Sequence, residues 1–289
     1  MLVRHGVLAL LASGAAVAAS AQDAQSLVTK NLEARGGATA LAAIKNVSFE
    51  GRTIFPGDFE VAYKETRERA GTGAADRVDL TLQGLDIIQA YDGHGNGWKV
   101  NPLQGRKDAE KMSADEARSL ADGALVEGPL LAARTDGSKV AYLGRDDFDG
   151  TLAYKLKVTQ KDGDEFVYWL DPDTMLEIKI DETRRIRGVQ QTTETELGDY
   201  EKIAGVYFPM SVESWPQGQL GQKTRTIVAT GSANSTVSEG FFNEPRSAAT
   251  PAKAMGEPPD ASNKKSQPAT KPAATKEPPA RPSKPPKGK

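Results

Sequence analysis

The stretch Lys139–Ile180 decides the fold and reads KVAYLGRDDFDGTLAYKLKVTQKDGDEFVYWLDPDTMLEIKI. In its runs, apolar residues occupy every second position, the spacing at which a β-strand presents one face. Turn-forming residues interrupt the runs at Asp149-Gly150, Asp162-Gly163 and Asp171–Thr174. The stretch therefore predicts a meander of three antiparallel strands.

The predicted sheet is apolar on one side only. In the last run, the alternation places Ile178 and Ile180 on the apolar face and Glu177, Lys179 and Asp181 on the polar face. A one-faced antiparallel sheet must cover its apolar side with another layer or with a ligand. Which of the two covers it is the functional question that the sequence poses.

The N-terminal residues have the pattern of a signal peptide. Arg4 and His5 precede an apolar run over 6–17, and Ala19-Ser20-Ala21 supplies the small residues that precede a cleavage site. We expect residues 1–21 to be removed before Gln22 and the protein to be periplasmic. The chain has no cysteine, which excludes disulfides, zinc-thiolate sites and a lipidated cysteine.

The C-terminal residues differ in composition from the rest of the chain. From Pro245 to Lys289, eight Lys and two Arg face two Glu and one Asp, a net charge of +7 in a chain of net charge −2. This Pro-rich segment has no apolar periodicity, so we expect a disordered tail. It is either an arm that contacts an anionic surface, such as a membrane or the cell wall, or a solvated linker.

Between these ends, residues 22–244 predict a mainly β (α+β) domain. A leading helix at Gln22–Gly37 and a turn at Thr39–Ile44 precede five strands, and a capping box at Ser113 opens a helical insertion that reaches Leu131. The mixed charges of Lys64–Arg69 indicate a solvated outer face. Together with the meander and three later strand-like runs, the count is ten or eleven strands; the other strand regions are 47–55, 59–69, 77–82, 85–91, 98–100, 190–200, 206–215 and 223–230.

Several short motifs lie along these elements: Tyr91-Asp92-Gly93, Gly97-Trp98, Asn101-Pro102, Tyr168-Trp169-Leu170-Asp171 and Gly205-Val206-Tyr207-Phe208-Pro209. Together with the order of elements, they resemble the LolA/LolB-like superfamily, in the branch of outer-membrane lipoprotein-sorting proteins. The resemblance covers Gln22 to about Glu244. It implies an antiparallel half-barrel whose concave apolar face is lidded by helices and accepts acyl chains, in a non-enzymatic protein without a cofactor.

The residues that could carry chemistry favour structural roles. Asp147 and Asp149 with Gly150 match only part of a calcium loop, and a hairpin turn explains them better. Asp171 and Asp173 flank a proline turn, which is a better explanation than a pair of glycosidase carboxylates. His94 lies in a glycine-rich tip, and no nucleophile elbow is present. We predict no catalytic, metal or cofactor site, and a solvated hairpin tip for the basic run Arg184–Arg187.

The apolar residues of the sheet are candidates both for the core and for a ligand cavity. Each is worth about 1.5 to 3 kcal/mol when buried, whether it contacts a helix or a lipid. The large aromatic residues among them could line the mouth of a cavity. The candidates for the cavity are Val78, Leu80, Leu82, Trp98, Tyr154, Leu156, Val158, Ile178, Ile180 and Phe208.

Two functions remain open from the sequence, and a third, a hydrolase, would require that the substitution His94→Ala abolish a measured turnover. The first is a monomeric periplasmic carrier or binding protein for lipoprotein acyl chains or other lipids. The second is a cell-envelope scaffold or adaptor that uses the basic tail. Nucleic acid is excluded as a partner because the domain is acidic and exported.

Overall fold

A computed structural model of the chain describes residues 12–71 and 73–245, with side chains from Asp23 onward. Most of the predicted signal peptide and nearly all of the basic tail lie outside the described residues. No helix in the described part is long and apolar enough to cross a membrane.

The described residues form one open antiparallel sheet of thirteen strands. Strands 1 to 6 form one meander and strands 7 to 13 form another, and β1 pairs with β13 where the two meet. The strands are β1 Asn46–Phe55, β2 Phe59–Ala70, β3 Gly73–Leu82, β4 Leu85–Tyr91, β5 Gly97–Asn101, β6 Arg106–Lys111, β7 Lys139–Phe148, β8 Thr151–Thr159, β9 Glu165–Leu170, β10 Glu177–Ile186, β11 Val189–Ile203, β12 Val206–Pro216 and β13 Thr224–Ala233.

The mainly β class and the open antiparallel sheet are confirmed, but the predicted number of strands was too low. The stretch Lys139–Ile180 contributes to four strands, β7 to β10, and not three. Strand β6 was not predicted because Arg106–Lys111 is almost wholly polar and has no apolar alternation. It lies at one edge of the sheet, where charged residues discourage pairing with another chain.

Four helices accompany the sheet in the described part: α1 Ala12–Ala34, α2 Gly37–Ala43, α3 Ala114–Ala124 and α4 Gly128–Ala132. Helix α1 already includes Ala12, where the described residues begin, and so extends at least ten residues further toward the N-terminus than predicted; the expected cleavage site before Gln22 lies within it. Gly36 ends this helical region as predicted, with φ of 123°. A side chain at Gly36 would lie 2.2 Å from the carbonyl oxygen of Gly205, so only glycine fits this contact with the β11–β12 turn.

The core lies on one face of the sheet. The apolar stripe of α1, which includes Leu27, Val28 and Leu32, is buried there together with Leu130 and Leu131 of α4. The strand side chains of the same buried cluster come from both meanders. The strand members of this cluster are Val47, Phe49, Leu156, Val158, Phe166, Tyr168, Leu170, Ile203, Val206, Phe208 and Met210.

Helices α3 and α4 connect the two edges of the sheet. Strands β6 and β7 are the two edge strands, and the helical segment between them crosses the core face. The predicted capping box is present, since Ser113 Oγ accepts from the Glu116 amide and Glu116 accepts from the Ser113 amide. Helix α3 contacts β3, β4 and β5, and we call residues 113–133 the helical cover.

The opposite, convex face is covered locally by the segment that follows β13. Trp98 pairs with Ala90, which in turn pairs with Arg77, and this register places Trp98 on this face, opposite to the core. Phe242 covers it, and Trp98 Nε1 donates to the Phe242 carbonyl at 2.8 Å. The Arg77 guanidinium lies 4.7 Å from the Phe241 ring centroid. The segment from Ser235 to Phe242 therefore belongs to the folded domain.

Replacing Phe242 with alanine is expected to destabilise the domain by about 2 kcal/mol, because the Phe ring is buried against Trp98. Denaturant unfolding measures the loss, and tryptophan emission should shift to the red as Trp98 becomes solvated. The control is Phe59→Ala, whose side chain is 45% exposed and should cost less than about 1 kcal/mol. Equal losses for the two variants would contradict the covering role of Phe242.

Candidate functional site

A cavity of about 300 Å³ remains between the helical cover and strands β9 to β12. Its apolar walls come from both sides, with Leu125 and Val126 on the cover. The strands supply the other apolar side chains, Phe166, Tyr168, Ile180, Leu197, Phe208 and Val212. The helices thus pack directly on part of the core face and leave this cavity over another part. The volume lies at the lower end of the range of small-molecule sites.

A β-bulge places a carboxylate in the cavity. Glu177 pairs with Leu170 and Lys179 pairs with Trp169, so Ile178 is the extra residue between them. Glu177 therefore lies on the core face, and Ile178 lies on the convex face beside Phe148 and Glu196. The prediction that Glu177 points outward and Ile178 inward was wrong, because strict alternation does not survive a bulge.

Glu177 forms a buried ion pair with Arg35. Their side chains are 5% and 8% exposed, and Arg35 Nη1 lies 3.2 Å from Glu177 Oε1. Arg35 Nε also donates to the Tyr207 carbonyl at 2.8 Å, and the Tyr207 amide donates to the Arg35 carbonyl. Tyr200 Oη donates to the Glu177 carbonyl at 2.8 Å. The end of α1 is therefore held at one end of the cavity by paired charges.

Burial raises the pKa values of the tyrosines beside this ion pair. The pKa of Tyr200 lies well above its usual value, first because of burial and then because of the Glu177 charge. The same two causes, in the same order, raise the pKa of Tyr168. Both side chains are neutral over the physiological range. They present hydroxyl groups, and not negative charges, to a ligand.

A second ionic cluster ties the helical cover to the sheet. Arg184 is 4% exposed and contacts Asp122 of α3 at 2.8 Å, Asp164 at 2.6 Å, and Glu182. Arg118 of α3 contacts Asp164 at 3.1 Å. Burial raises the pKa of Asp122, and the Arg184 charge opposes that shift. The predicted solvated tip is therefore correct for the exposed residues of Arg184–Arg187 but wrong for Arg184 itself.

A third charged group lies on the core face of β2 and β3. The guanidinium of Arg67 binds Glu65 in a bidentate pair with distances of 2.8 and 3.1 Å. Tyr63 donates to the same carboxylate, and Asp76 is paired in register with Arg67. Glu65 and Asp76 are buried. The prediction that Lys64–Arg69 forms a solvated outer face was wrong for Glu65 and Arg67, because alternate residues of this charged run point inward.

We expect the Asp76→Asn variant to be more stable than the natural protein at neutral pH. Burial, and then the charge of Glu65, raise the pKa of Asp76 well above its usual value, against the opposing effect of Arg67. One Asp76 oxygen has no hydrogen-bond partner among the described residues. Because the folded-state pKa is raised, stability is lost as pH rises from about 4, the unfolded value, through the folded value. Asparagine cannot ionise and avoids that loss.

Denaturant unfolding of the two proteins at several pH values measures this effect. The gain should be largest above the folded-state pKa of Asp76 and should shrink as the pH falls toward about 4. A gain that does not change with pH, or a loss at neutral pH, would contradict the account.

Two of the ten predicted cavity residues, Ile180 and Phe208, line the cavity. The fully buried Leu156 and Val158 belong to the core, and Tyr154 packs at its edge with its ring 6.4 Å from that of Tyr142. The three members on β3 are Val78, Leu80 and Leu82; they are half-buried and lie on the core face outside the cavity. The two others, Trp98 and Ile178, lie on the convex face.

Sequence reasoning missed Leu197 and Val212, which face each other across β11 and β12. It also missed the charged lining, above all Arg35 and Glu177. Arg35 is the last residue before Gly36-Gly37, so the helix end was visible in the sequence. Its pairing with Glu177, a strand residue 142 positions away, was not visible in the sequence.

The acidic motifs that were weighed as a calcium loop and as a pair of glycosidase carboxylates form turns. Asp149 and Gly150 both have positive φ, of 50° and 81°, as a tight hairpin requires. Asp171 Oδ1 accepts from the amides of Asp173 and Thr174. His94 is exposed at its tip. Among the described residues, no group of three His, Cys, Asp or Glu side chains is placed to hold a metal ion.

These features define an open antiparallel half-barrel, with a helix inside it and a helical cover over a partly apolar cavity. Solved structures of the LolA-like class have the same fold. A LolA-superfamily protein from Nitrosomonas europaea aligns with a TM-score of 0.51 at 16% identity, over 76% of this chain and 96% of that chain. A domain from Vibrio parahaemolyticus, assigned provisionally to outer-membrane lipoprotein sorting, aligns with a TM-score of 0.55 at 13% identity, over 77% and 97% of the two chains.

A third solved structure, a DUF1329 family protein from Desulfovibrio piger, aligns with a TM-score of 0.55 at 12% identity, over 76% of this chain and 96% of that chain. No protein-family profile and no curated protein matches the sequence. The resemblance to the LolA/LolB-like superfamily is therefore confirmed at the level of the fold.

Proposed function

We propose that this protein is a periplasmic, non-enzymatic carrier that holds an acyl chain of a lipid or lipoprotein in the cavity under the helical cover. The observation that supports this most is the cavity itself, a partly apolar space of about 300 Å³ on the core face of an open half-barrel. The export signal agrees with a periplasmic site of action. One structural neighbour carries a provisional assignment to lipoprotein sorting.

The lining suits a chain with a polar end. Phe166, Ile180 and Val212 offer apolar contact, and each methylene group that leaves water contributes about 0.8 kcal/mol. The charged groups are paired with one another, as in Arg35 with Glu177 and Arg184 with Asp122. Paired charges do not demand a counter-ion from the ligand, so the apolar contact supplies most of the affinity.

Native mass spectrometry of protein purified after export, followed by lipid extraction, tests the proposal. We expect a fraction of the protein to carry an added mass that the extract identifies as a lipid or a fatty-acid derivative. Protein that is always empty and takes up no fluorescent fatty acid would contradict it.

Deleting residues 245–289 separates the carrier from the second hypothesis, an envelope scaffold. The carrier predicts unchanged lipid uptake in the shortened protein, even if its association with the cell envelope is lost. The scaffold predicts no lipid uptake in either form. The deletion removes no residue that lines the cavity, because the cavity is built entirely from residues before this segment.

A further inference from the structure

One rim of the sheet carries a row of exposed apolar side chains. Seven large apolar side chains among the described residues are exposed, and five of them are 45 to 65% exposed at the turns of one rim. Each is the first residue after its hairpin turn or lies in a short 3₁₀ turn there. These five, which we call the apolar rim, are Phe59, Leu85, Leu103, Val189 and Leu220.

The pairing of the strands places all five at the same end. Strand β1 ends at this rim, so the β1–β2 turn lies here, and antiparallel neighbours bring the β3–β4 and β5–β6 turns to the same end. Strand β13 starts at this end beside the end of β1, so the β12–β13 and β10–β11 turns lie here too. In sheet order these are five successive hairpins, with tips about 10 Å apart at the usual strand spacing.

The charges at the two rims differ. The turns at the end of the sheet that carries the apolar rim, including the β8–β9 turn at 160–164, hold three basic residues, Lys161, Arg187 and Lys223, and three acidic ones, Asp58, Asp162 and the buried Asp164. The turns of the opposite rim hold four aspartates and, among their described residues, no Lys or Arg; the four are Asp92, Asp149, Asp171 and Asp173. In a domain that is acidic as a whole, the apolar rim is thus the less acidic of the two ends and the one that repels an anionic partner less.

We infer that the apolar rim docks on a lipid bilayer that contains anionic lipid. Single apolar side chains on separate tips, with basic residues among them, suit a fluid planar surface into which each side chain inserts shallowly. A folded protein partner would instead require a contiguous apolar patch or groove. This inference does not depend on what the cavity holds.

The docking would also orient the cavity. Its lining includes Arg184, which lies two residues before the end of β10 at the apolar rim. A bilayer at this rim lies next to the part of the helical cover whose Asp115 carboxylate accepts from the Arg187 amide at 2.9 Å. The end of the cavity that carries Arg184 therefore faces the membrane side of the molecule, and the end that carries Arg35 and Glu177 faces away from it.

The absence of cysteine in the chain allows a direct test by site-specific labelling. An environment-sensitive fluorophore on Leu220→Cys reports on the rim, and the same label on Leu152→Cys, exposed at the other end of the sheet, is the matched control. With vesicles of phosphatidylcholine and phosphatidylglycerol, we expect emission from position 220 to shift to the blue and emission from position 152 to stay unchanged. High salt should weaken the effect.

Vesicle sedimentation of full-length variants tests the same inference without a label. Replacing Leu85, Val189 and Leu220 together with Gln should lower partitioning roughly tenfold or more, because several methylene groups leave the bilayer. Replacing Leu143 and Leu152 with Gln, the two exposed leucines off the rim, should leave it unchanged. Circular dichroism confirms that each variant is folded.

Three outcomes would overturn the inference. The first is equal blue shifts at positions 220 and 152. The second is unchanged partitioning of the rim variant, which would assign any binding to other parts of the chain. The third is concentration-dependent self-association that the rim substitutions abolish, in protein that does not sediment with vesicles, which would make the rim an interface between copies of this chain.

Discussion

Replacing Ile180 with tryptophan is expected to abolish most of the uptake of a fluorescent fatty acid. Ile180 lines a cavity of about 300 Å³, and the larger indole ring occupies space that a ligand would fill. Excluding two methylene groups of the ligand costs about 1.6 kcal/mol at about 0.8 kcal/mol each. That energy corresponds to a loss of affinity of more than about tenfold. Titration of the purified variant with the fatty acid measures it.

The matched control is Ile178→Trp. This residue has the same chemical type and lies two positions away, but the β-bulge puts it on the convex face. We expect the Ile178→Trp variant to bind the fatty acid with the same affinity as the natural protein. Unfolding curves are needed for both variants, since overpacking costs about 1 to 3 kcal/mol. Equal affinities of the two folded variants would contradict the assignment of the cavity as the ligand site.

The largest expected effect on stability is that of Glu177→Ala. The substitution leaves the Arg35 guanidinium buried without its carboxylate partner, and removing one member of a buried ion pair typically costs about 3 to 5 kcal/mol. It also removes the acceptor at 3.3 Å from Tyr200 Oη. Urea unfolding monitored by circular dichroism gives the change in the free energy of unfolding.

Glu50→Ala provides the comparison for the ion-pair account. Glu50 contacts Lys64 at 2.8 Å, but the two side chains are 59% and 52% exposed. Exposed pairs contribute between about 0 and 1 kcal/mol, so this variant should unfold almost as the natural protein does. A loss for Glu177→Ala as small as that for Glu50→Ala would show that Arg35 is satisfied without Glu177.

Most of the strands could be predicted because alternation and turn residues are local signals. The runs around Leu156 and Phe166 fold as the period of two predicts. Strand β6 could not be predicted in this way, since edge strands need no apolar face and Arg106–Lys111 has almost none. The resemblance to the LolA-like class came from the order of elements, and that order can be recognised even when a strand such as β6 is not predicted.

The candidate site was predicted less well than the fold, for two physical reasons. Ile178 and Glu177 exchange faces at a bulge, and one inserted residue inverts the pattern without leaving a mark in the periodicity. Burial of Trp98 depends on Phe242, which is 144 residues away in the chain. Glu65 is also buried, with Tyr63 and Arg67 of its own strand as partners, although sequence reasoning places this residue type on the surface.

We propose that the cavity lined by Ile180 and Phe208 receives an acyl chain. Crystals of the protein grown with a fatty acid that carries bromine at its terminal carbon test this most directly, because the bromine gives an anomalous signal at its own position. The account predicts one bromine peak inside the cavity, within contact distance of Ile180 or Phe208. A peak only on the outer surface, or a cavity that stays empty at saturating fatty acid, would contradict it.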